Sequence, residues 1–220
     1  MKKQWEAALA ELELEQKNTA LLVADGFPCN DILSRLLQEH CHFTVFLDKA
    51  YHRYKNTLKG DVWLGDFDDF KPQKEASLDL IIDKGQDNTD FEKGLDFLVK
   101  KGFKNVIAIG ATGRRSDHYL NNLFDLVKYR HQLHIYLFDD FGLSFLLPKR
   151  FVSKYPIGQR LSLMPLPEAK GIISKGLKYP LLGNDLCVGG KTGSSNTVDE
   201  SPVSIVHSDG HLLLVVSWQD

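Results

Sequence analysis

From residue 20 to about residue 140 the chain alternates short apolar runs with segments of helical period. The runs 20–24, 43–47, 62–64, 80–82, 106–109 and 135–138 are almost continuously apolar or β-branched, as strands covered on both faces of a parallel sheet are. Between them, Ile32, Leu33, Leu36 and Leu37 form one amphipathic stripe. Phe91, Leu95 and Leu98 form a second, which starts after Asn88-Thr89 and stops at Gly102, and Leu120, Leu123 and Val127 form a third. Strands alternating with helices in this way predict βαβ units.

Beyond residue 140 the helical period vanishes. Pro148, Pro156, Pro165, Pro167, Pro180 and Pro202, with many glycines, cut the chain into short apolar segments separated by turns, the pattern of antiparallel strands. The expected fold class is therefore α/β: an N-terminal parallel-sheet α/β domain over residues 1–140, followed by a small C-terminal antiparallel β-sandwich domain over 141–220.

Composition narrows the function classes. Of 220 residues, 43% are apolar and 25% charged, which excludes a disordered, collagenous or coiled-coil chain. Lys and Arg number 27 against 29 Asp and Glu, a formal charge of −2, so neither nucleic acid nor membrane is an expected partner. An anionic ligand must be held by local arrangement. Cys29, Cys41 and Cys187 are too few and scattered for a disulfide framework. Glu6, Glu11, Glu13 and Glu15 occupy the stretch where a signal peptide would be apolar, and the expected setting is a reducing cytoplasm.

Position matters more than composition for the acidic residues. Asp48, Asp66, Asp68, Asp87 and Asp90 fall just past the C-terminal ends of predicted strands, where open parallel sheets bind ligands. Singly, each aspartate is a plausible turn former or helix cap. Five at equivalent ends of neighbouring elements would repel one another unless a cation sat among them, and hard carboxylate oxygens suit Mg²⁺. The strand ending at Ile109 runs into Gly110-Ala111-Thr112-Gly113-Arg114-Arg115-Ser116-Asp117-His118, a glycine turn opening a helix, whose free amides attract phosphate and whose Arg115 adds a forked contact. It is neither a dinucleotide fingerprint nor a Walker A loop. Gly189-Gly190-Lys191-Thr192 has the ending of a P-loop without its first glycine, and lies in the β-rich part. The histidines do not cluster, and no nucleophile elbow is present.

Taken in order, these motifs resemble those of the thiamine pyrophosphokinase (thiamine diphosphokinase) family. Gly65-Asp66-Phe67-Asp68-Asp69 is similar to its G-D-F-D-S, Asp87-Asn88-Thr89-Asp90 to its D-x-T-D, and Gly110 to His118 to its G-A-x-G-G-R-x-D-H. Gly176-Leu177-Lys178-Tyr179-Pro180-Leu181 and Ser194-Ser195-Asn196 resemble two C-terminal stretches, G-L-K-W/Y-x-L and S-x-S-N. Departures occur at Lys49 and Ala50, which replace two glycines of the family's A-D-G-G-A-N, at Asp69 for serine, and at Arg114 for glycine. The resemblance implies transfer of a pyrophosphoryl group from ATP, as co-substrate, to the hydroxyl of thiamine, giving thiamine diphosphate and AMP. It also implies Mg²⁺ held by Asp48, Asp66, Asp68, Asp87 and Asp90 as the catalytic carboxylates. ATP would be bound by Gln86, Thr89, Thr112, Arg115 and Asp117, and thiamine by Ser194, Ser195 and Asn196, in a homodimer. A Mg²⁺-dependent phosphohydrolase and a non-catalytic nucleotide or thiamine sensor are the competing classes.

Overall fold

The computed structural model describes residues 2–73 and 78–218. By packing, the chain divides into two units, Leu14–Asp140 and a second made of Met1–Glu13 with Phe141–Asp220. The second begins with helix α1 (Lys2–Glu11).

In the unit Leu14–Asp140, the strands are β1 (Thr19–Val23), β2 (Phe43–Leu47), β3 (Val62–Gly65), β4 (Asp79–Ile82), β5 (Asn105–Ile109) and β6 (His134–Phe138). All pair in parallel, in the order β4-β3-β2-β1-β5-β6. Each expected run is a strand, displaced by a residue or so at its ends. β1 and β5 are central, and their apolar residues are fully buried, which explains why the sequence there shows no polar alternation. The strand order reverses direction between β1 and β5, so the switch-point crevice of an open parallel sheet lies beyond their C-terminal ends.

Among its described residues this unit has the α-helices α2 (Asp31–Glu39), α3 (Ala50–Tyr54), α4 (Asp90–Lys101) and α5 (Ser116–Lys128). Asn30 caps α2 by accepting from the Ile32 amide at 2.9 Å, and Thr89 caps α4 by accepting from the Glu92 amide at 3.2 Å. α4 ends at Gly102 in a left-handed conformation. α3 has too few residues to show a period, but its Ala50, Tyr51 and Tyr54 are buried.

Where α4 meets α5, the Tyr129 hydroxyl donates to Asp96 at 2.6 Å, and Lys128 pairs with Glu92. Asp125 is buried beside them with its Oδ2 lacking a hydrogen-bond partner. Burial, and then the charge of Asp96, push its pKa up to about 6. Because the folded-state value is raised, this group's contribution to stability is present below the unfolded value and is lost as pH rises through about 6. Asp125→Asn is therefore expected to melt about 2–4 °C above the wild type at pH 7.5, the shift that one kcal/mol produces in a chain of this size. The two are expected to melt together at pH 4. Calorimetry at both values checks this, and an equal offset at both would contradict it.

The second unit is antiparallel throughout. Its strands are β7 (Gly142–Leu146), β8 (Arg150–Ser153), β9 (Arg160–Lys175), β10 (Leu182–Cys187), β11 (Gly193–Thr197), β12 (Val203–Val206) and β13 (Asp209–Ser217). The 16-residue β9 is the spine, pairing with β10, β11, β12 and β13. Leu161, Leu163, Ile172, Ile205, Leu212 and Leu214 form its core. α1 joins this unit, which departs from the expectation of a single domain over 1–140. Its Trp5, Ala8 and Leu9 are buried, and Glu11 accepts from the Ser153 hydroxyl at 2.8 Å and the Lys154 amide at 2.7 Å.

Candidate active site in the α/β unit

The loops leaving β1 and β5 are sewn together through their backbones. The Ala24 amide donates to the Ile109 carbonyl at 2.9 Å, Gly26 to Gly110 at 2.6 Å, and Phe27 to Thr112 at 2.7 Å. Gly110 has φ +65, and a Cβ there would lie 2.1 Å from the Ala24 carbonyl oxygen, so no other residue fits. Asn122 of α5, buried, donates to the Ala111 carbonyl at 2.7 Å and fixes the turn from behind. Above this floor lies a cleft of about 380 Å³, lined by residues of the β1, β2 and β5 loops and the first turns of α4 and α5. α5 starts without a side-chain cap, so its first amides are available to an anion.

Three carboxylates converge on the acidic side. Asp48 follows β2 in a left-handed conformation, φ +41, which aspartate tolerates better than most residues. Its amide donates to the Leu64 carbonyl at 2.9 Å, and its carbonyl accepts from the Trp63 indole at 2.7 Å. A Cβ on Gly65 would come within 3.2 Å of the Asp48 Cα, so glycine lets the end of β3 run close to Asp48. Asp66 comes next. Phe67 is buried edge-on against Trp63 and Phe70, with centroids 5.3 and 5.6 Å away, and anchors the loop between Asp66 and Asp68. Asp90 opens α4. Asp48, Asp66 and Asp90 each offer an oxygen within 4.8 Å of the others.

The electrostatics follow from this crowding. Burial, and then the charge of Asp90, push the Asp48 carboxyl up to about 6. Burial, and then Asp66, hold Asp90 above the usual carboxylate range, against the opposing pull of Lys93. The buried Oδ1 of Asp48 has no hydrogen-bond partner. Hard oxygen donors with surplus negative charge and an unsatisfied buried oxygen fit a divalent cation such as Mg²⁺.

The structure thus assembles three of the five aspartates expected to act together. Asp68 is exposed on the adjoining loop, 3.2 Å from the Lys84 ammonium and 3.4 Å from the Gln86 amide. Asp87 is exposed in the loop before α4. Thr89 lines the cleft while capping α4, and the Thr112 hydroxyl donates to Asp139 at 2.9 Å. Arg115 lines the cleft with its fork on Asp117, at 3.2 and 2.6 Å, and this pairing holds Asp117 down to about 2. In the other unit, Ser194 and Ser195 are exposed on β11. Asn196 is buried, accepting from the Tyr179 amide at 3.1 Å and donating to the Tyr179 carbonyl at 2.7 Å, so its amide clasps the segment around Tyr179.

Sequence reasoning missed Asp25, Lys93 and Asn122. Asp25 lines the cleft and bridges Arg53 at 2.9 Å and Arg114 at 2.8 Å. Arg114 takes the left-handed conformation, φ +56, that a glycine would take at this turn. Lys49 pairs with Asp69, so two departures from the family pattern answer each other. Lys93 stands one helical turn after Asp90 on α4, and that spacing was the available signal.

Comparison with known proteins bears on the same regions. The family model described as thiamin pyrophosphokinase, catalytic domain, matches residues 34–137, and the one described as thiamin pyrophosphokinase, vitamin B1 binding domain, matches residues 150–212. Thiamine pyrophosphokinase 1 of Oryza sativa subsp. japonica is 31% identical over 192 residues, covering 79% of this chain and 70% of that protein. The thiamine pyrophosphokinase of Bacillus subtilis (strain 168) is 26% identical over 177 residues, covering 70% and 76%. Among solved structures, the fold is shared with thiamine pyrophosphokinase from Bacillus subtilis, at TM-score 0.78 and 23% identity, covering 92% of this chain and 100% of that one. It is shared also with the Candida albicans enzyme, at 0.78 and 18%, covering 92% and 90%. With both family models matched in order, and a relative this similar over most of both chains, the protein belongs to the thiamine pyrophosphokinase family.

Proposed function

We propose that ATP binds in the acidic cleft of the α/β unit as its magnesium complex, and that a pyrophosphoryl group passes from it to the hydroxyl of thiamine, giving thiamine diphosphate and AMP. Membership of the family supports the reaction. The observation that carries its assignment to this cleft is the convergence of Asp48, Asp66 and Asp90 beside a glycine turn and an uncapped helix start. Magnesium, when bound, supplies charge neutralisation for the triphosphate. In this reading Asp48, Asp66 and Asp90 would hold it, with Asp68 and Asp87 adding negative charge from the neighbouring loops.

The remaining work is positioning, which dominates transfers of this kind. The Gly110 turn and the start of α5 receive phosphate oxygens. Arg115 exchanges Asp117 for phosphate, with Gln86, Thr89 and Thr112 placing the nucleotide. Arg115→Lys is expected to lower kcat/KM for ATP about tenfold, because a point charge cannot reproduce the planar fork. Unchanged steady-state constants would put Arg115 outside the site.

For thiamine we assign Ser194 and Ser195, on a strand whose register Asn196 secures, acting within a homodimer. The exposed apolar side chains Ile173 and Leu182, opposite each other on β9 and β10, support an interface there. Free thiols, including the exposed Cys187, suit a reducing cytoplasm. Product analysis tests the reading. AMP and thiamine diphosphate are expected to appear one for one. Inorganic phosphate alone would indicate a phosphohydrolase, and no turnover a sensor.

A further inference from the structure

Lys93 is a charged side chain where charge is costly. It is 4% exposed, and its ammonium lies 3.4 Å from Asp90 Oδ1 and 3.9 Å from Asp66 Oδ2 while donating to the Asp83 carbonyl at 3.0 Å. Taking an ammonium out of water is unfavourable by several kcal/mol unless partners replace the lost hydration. The two carboxylates that replace it here are both members of the converging triad. Helical geometry places Lys93 on the same face as Asp90, one turn on, and the Asp83 carbonyl fixes the ammonium from the β4 side of the site.

Three ionised carboxylates with oxygens within 4.8 Å would drive one another apart. One buried ammonium leaves the group with two negative charges, which match a single divalent cation. Asp48, whose buried oxygen has no hydrogen-bond partner, is then the open position of the arrangement. We propose that Lys93 is an internal counter-ion that holds Asp66 and Asp90 in their converged geometry before any metal arrives. It is a positioning residue for the reaction. The inference deepens the metal reading above and rests on it for its catalytic meaning, although the positioning itself is a property of the protein alone.

The test is thermal melting of the wild type, Lys93→Met, Asp90→Asn and the double variant, first in EDTA and then in magnesium, with manganese binding followed by electron paramagnetic resonance. Methionine keeps the buried stem and removes the charge. In EDTA, Lys93→Met is expected to melt about 10 °C below the wild type, as breaking a buried pair does. Adding Asp90→Asn, which removes the carboxylate nearest the lost ammonium, should recover at least half of that fall. Magnesium should recover the single variant and shift the double variant little.

If Asp90→Asn brings no recovery in the Lys93→Met background, Lys93 is only packing and the proposal is overturned. Should Lys93→Met fail to fold, the double variant is expected to fold, and its failure would overturn the proposal equally. Absence of manganese binding by the wild type would refute the metal reading alone, and the melting series in EDTA would still decide the role of Lys93.

Discussion

Asp48→Asn is expected to reduce turnover at saturating magnesium by at least about 100-fold, or roughly 2.7 kcal/mol of transition-state stabilisation, without loss of stability. The substitution is informative because every structural demand on the residue is met by asparagine. Its backbone is left-handed, φ +41, a conformation asparagine adopts as readily as aspartate. The contacts that fix it to Leu64 and Trp63 run through its own amide and carbonyl. The carboxylate itself is already disfavoured by burial and by Asp90, so a neutral isostere removes repulsion. What disappears is charge at the buried oxygen. Circular dichroism and melting establish that the variant is folded, and turnover above about a tenth of the wild type would remove Asp48 from the metal site.

Gly110→Ala is expected to destabilise the α/β unit by about 3 kcal/mol or more and to abolish nucleotide binding. Two causes add: the left-handed backbone, worth about 1–2 kcal/mol for a residue with a Cβ, and a Cβ placed 2.1 Å from the Ala24 carbonyl oxygen. That oxygen belongs to backbone sewn to β5 by the Ala24 and Gly26 amides, so it cannot yield as a side-chain end would. Gly102→Ala is the control. It has φ +88 and nothing within 4 Å of the added carbon, so only the conformational cost remains. Urea midpoints compare the two, and equal losses would show that the loop contact is not needed.

Much of this was legible in the sequence, for identifiable reasons. The parallel strands announced themselves as continuous apolar runs, which burial on both faces explains for β1, β2, β3 and β5, while the edge strand β4 is apolar yet part-exposed. The helices α2, α4 and α5 announced themselves through apolar spacing, with Thr89 marking the start of α4 and Gly102 its end. α1 and α3 did not. The first buries only Trp5, Ala8 and Leu9, too few for a clear stripe, and the second is a single turn. In the candidate site, strand-end position identified Asp48, Asp66 and Asp90 as well as Asp68 and Asp87, because sequence gives the loop but not the direction of a side chain within it. Phe67 decides that direction: its burial among Trp63 and Phe70 sets its two neighbours differently. Lys93 was hidden for a related reason. A lysine on an amphipathic helix reads as solvent-facing, and only the fold reveals that it turns inward to meet Asp66, which is distant in sequence.

The phosphorus atoms of ATP report directly on which group is transferred. ATP labelled at the β-phosphate is incubated with thiamine, magnesium and the protein, and the labelled products are separated. Label is expected in thiamine diphosphate, with unlabelled AMP released in equal amount, because the β- and γ-phosphates move together. Label remaining in ADP, with thiamine monophosphate as the co-product, or label released as free phosphate or pyrophosphate without thiamine diphosphate, would contradict it.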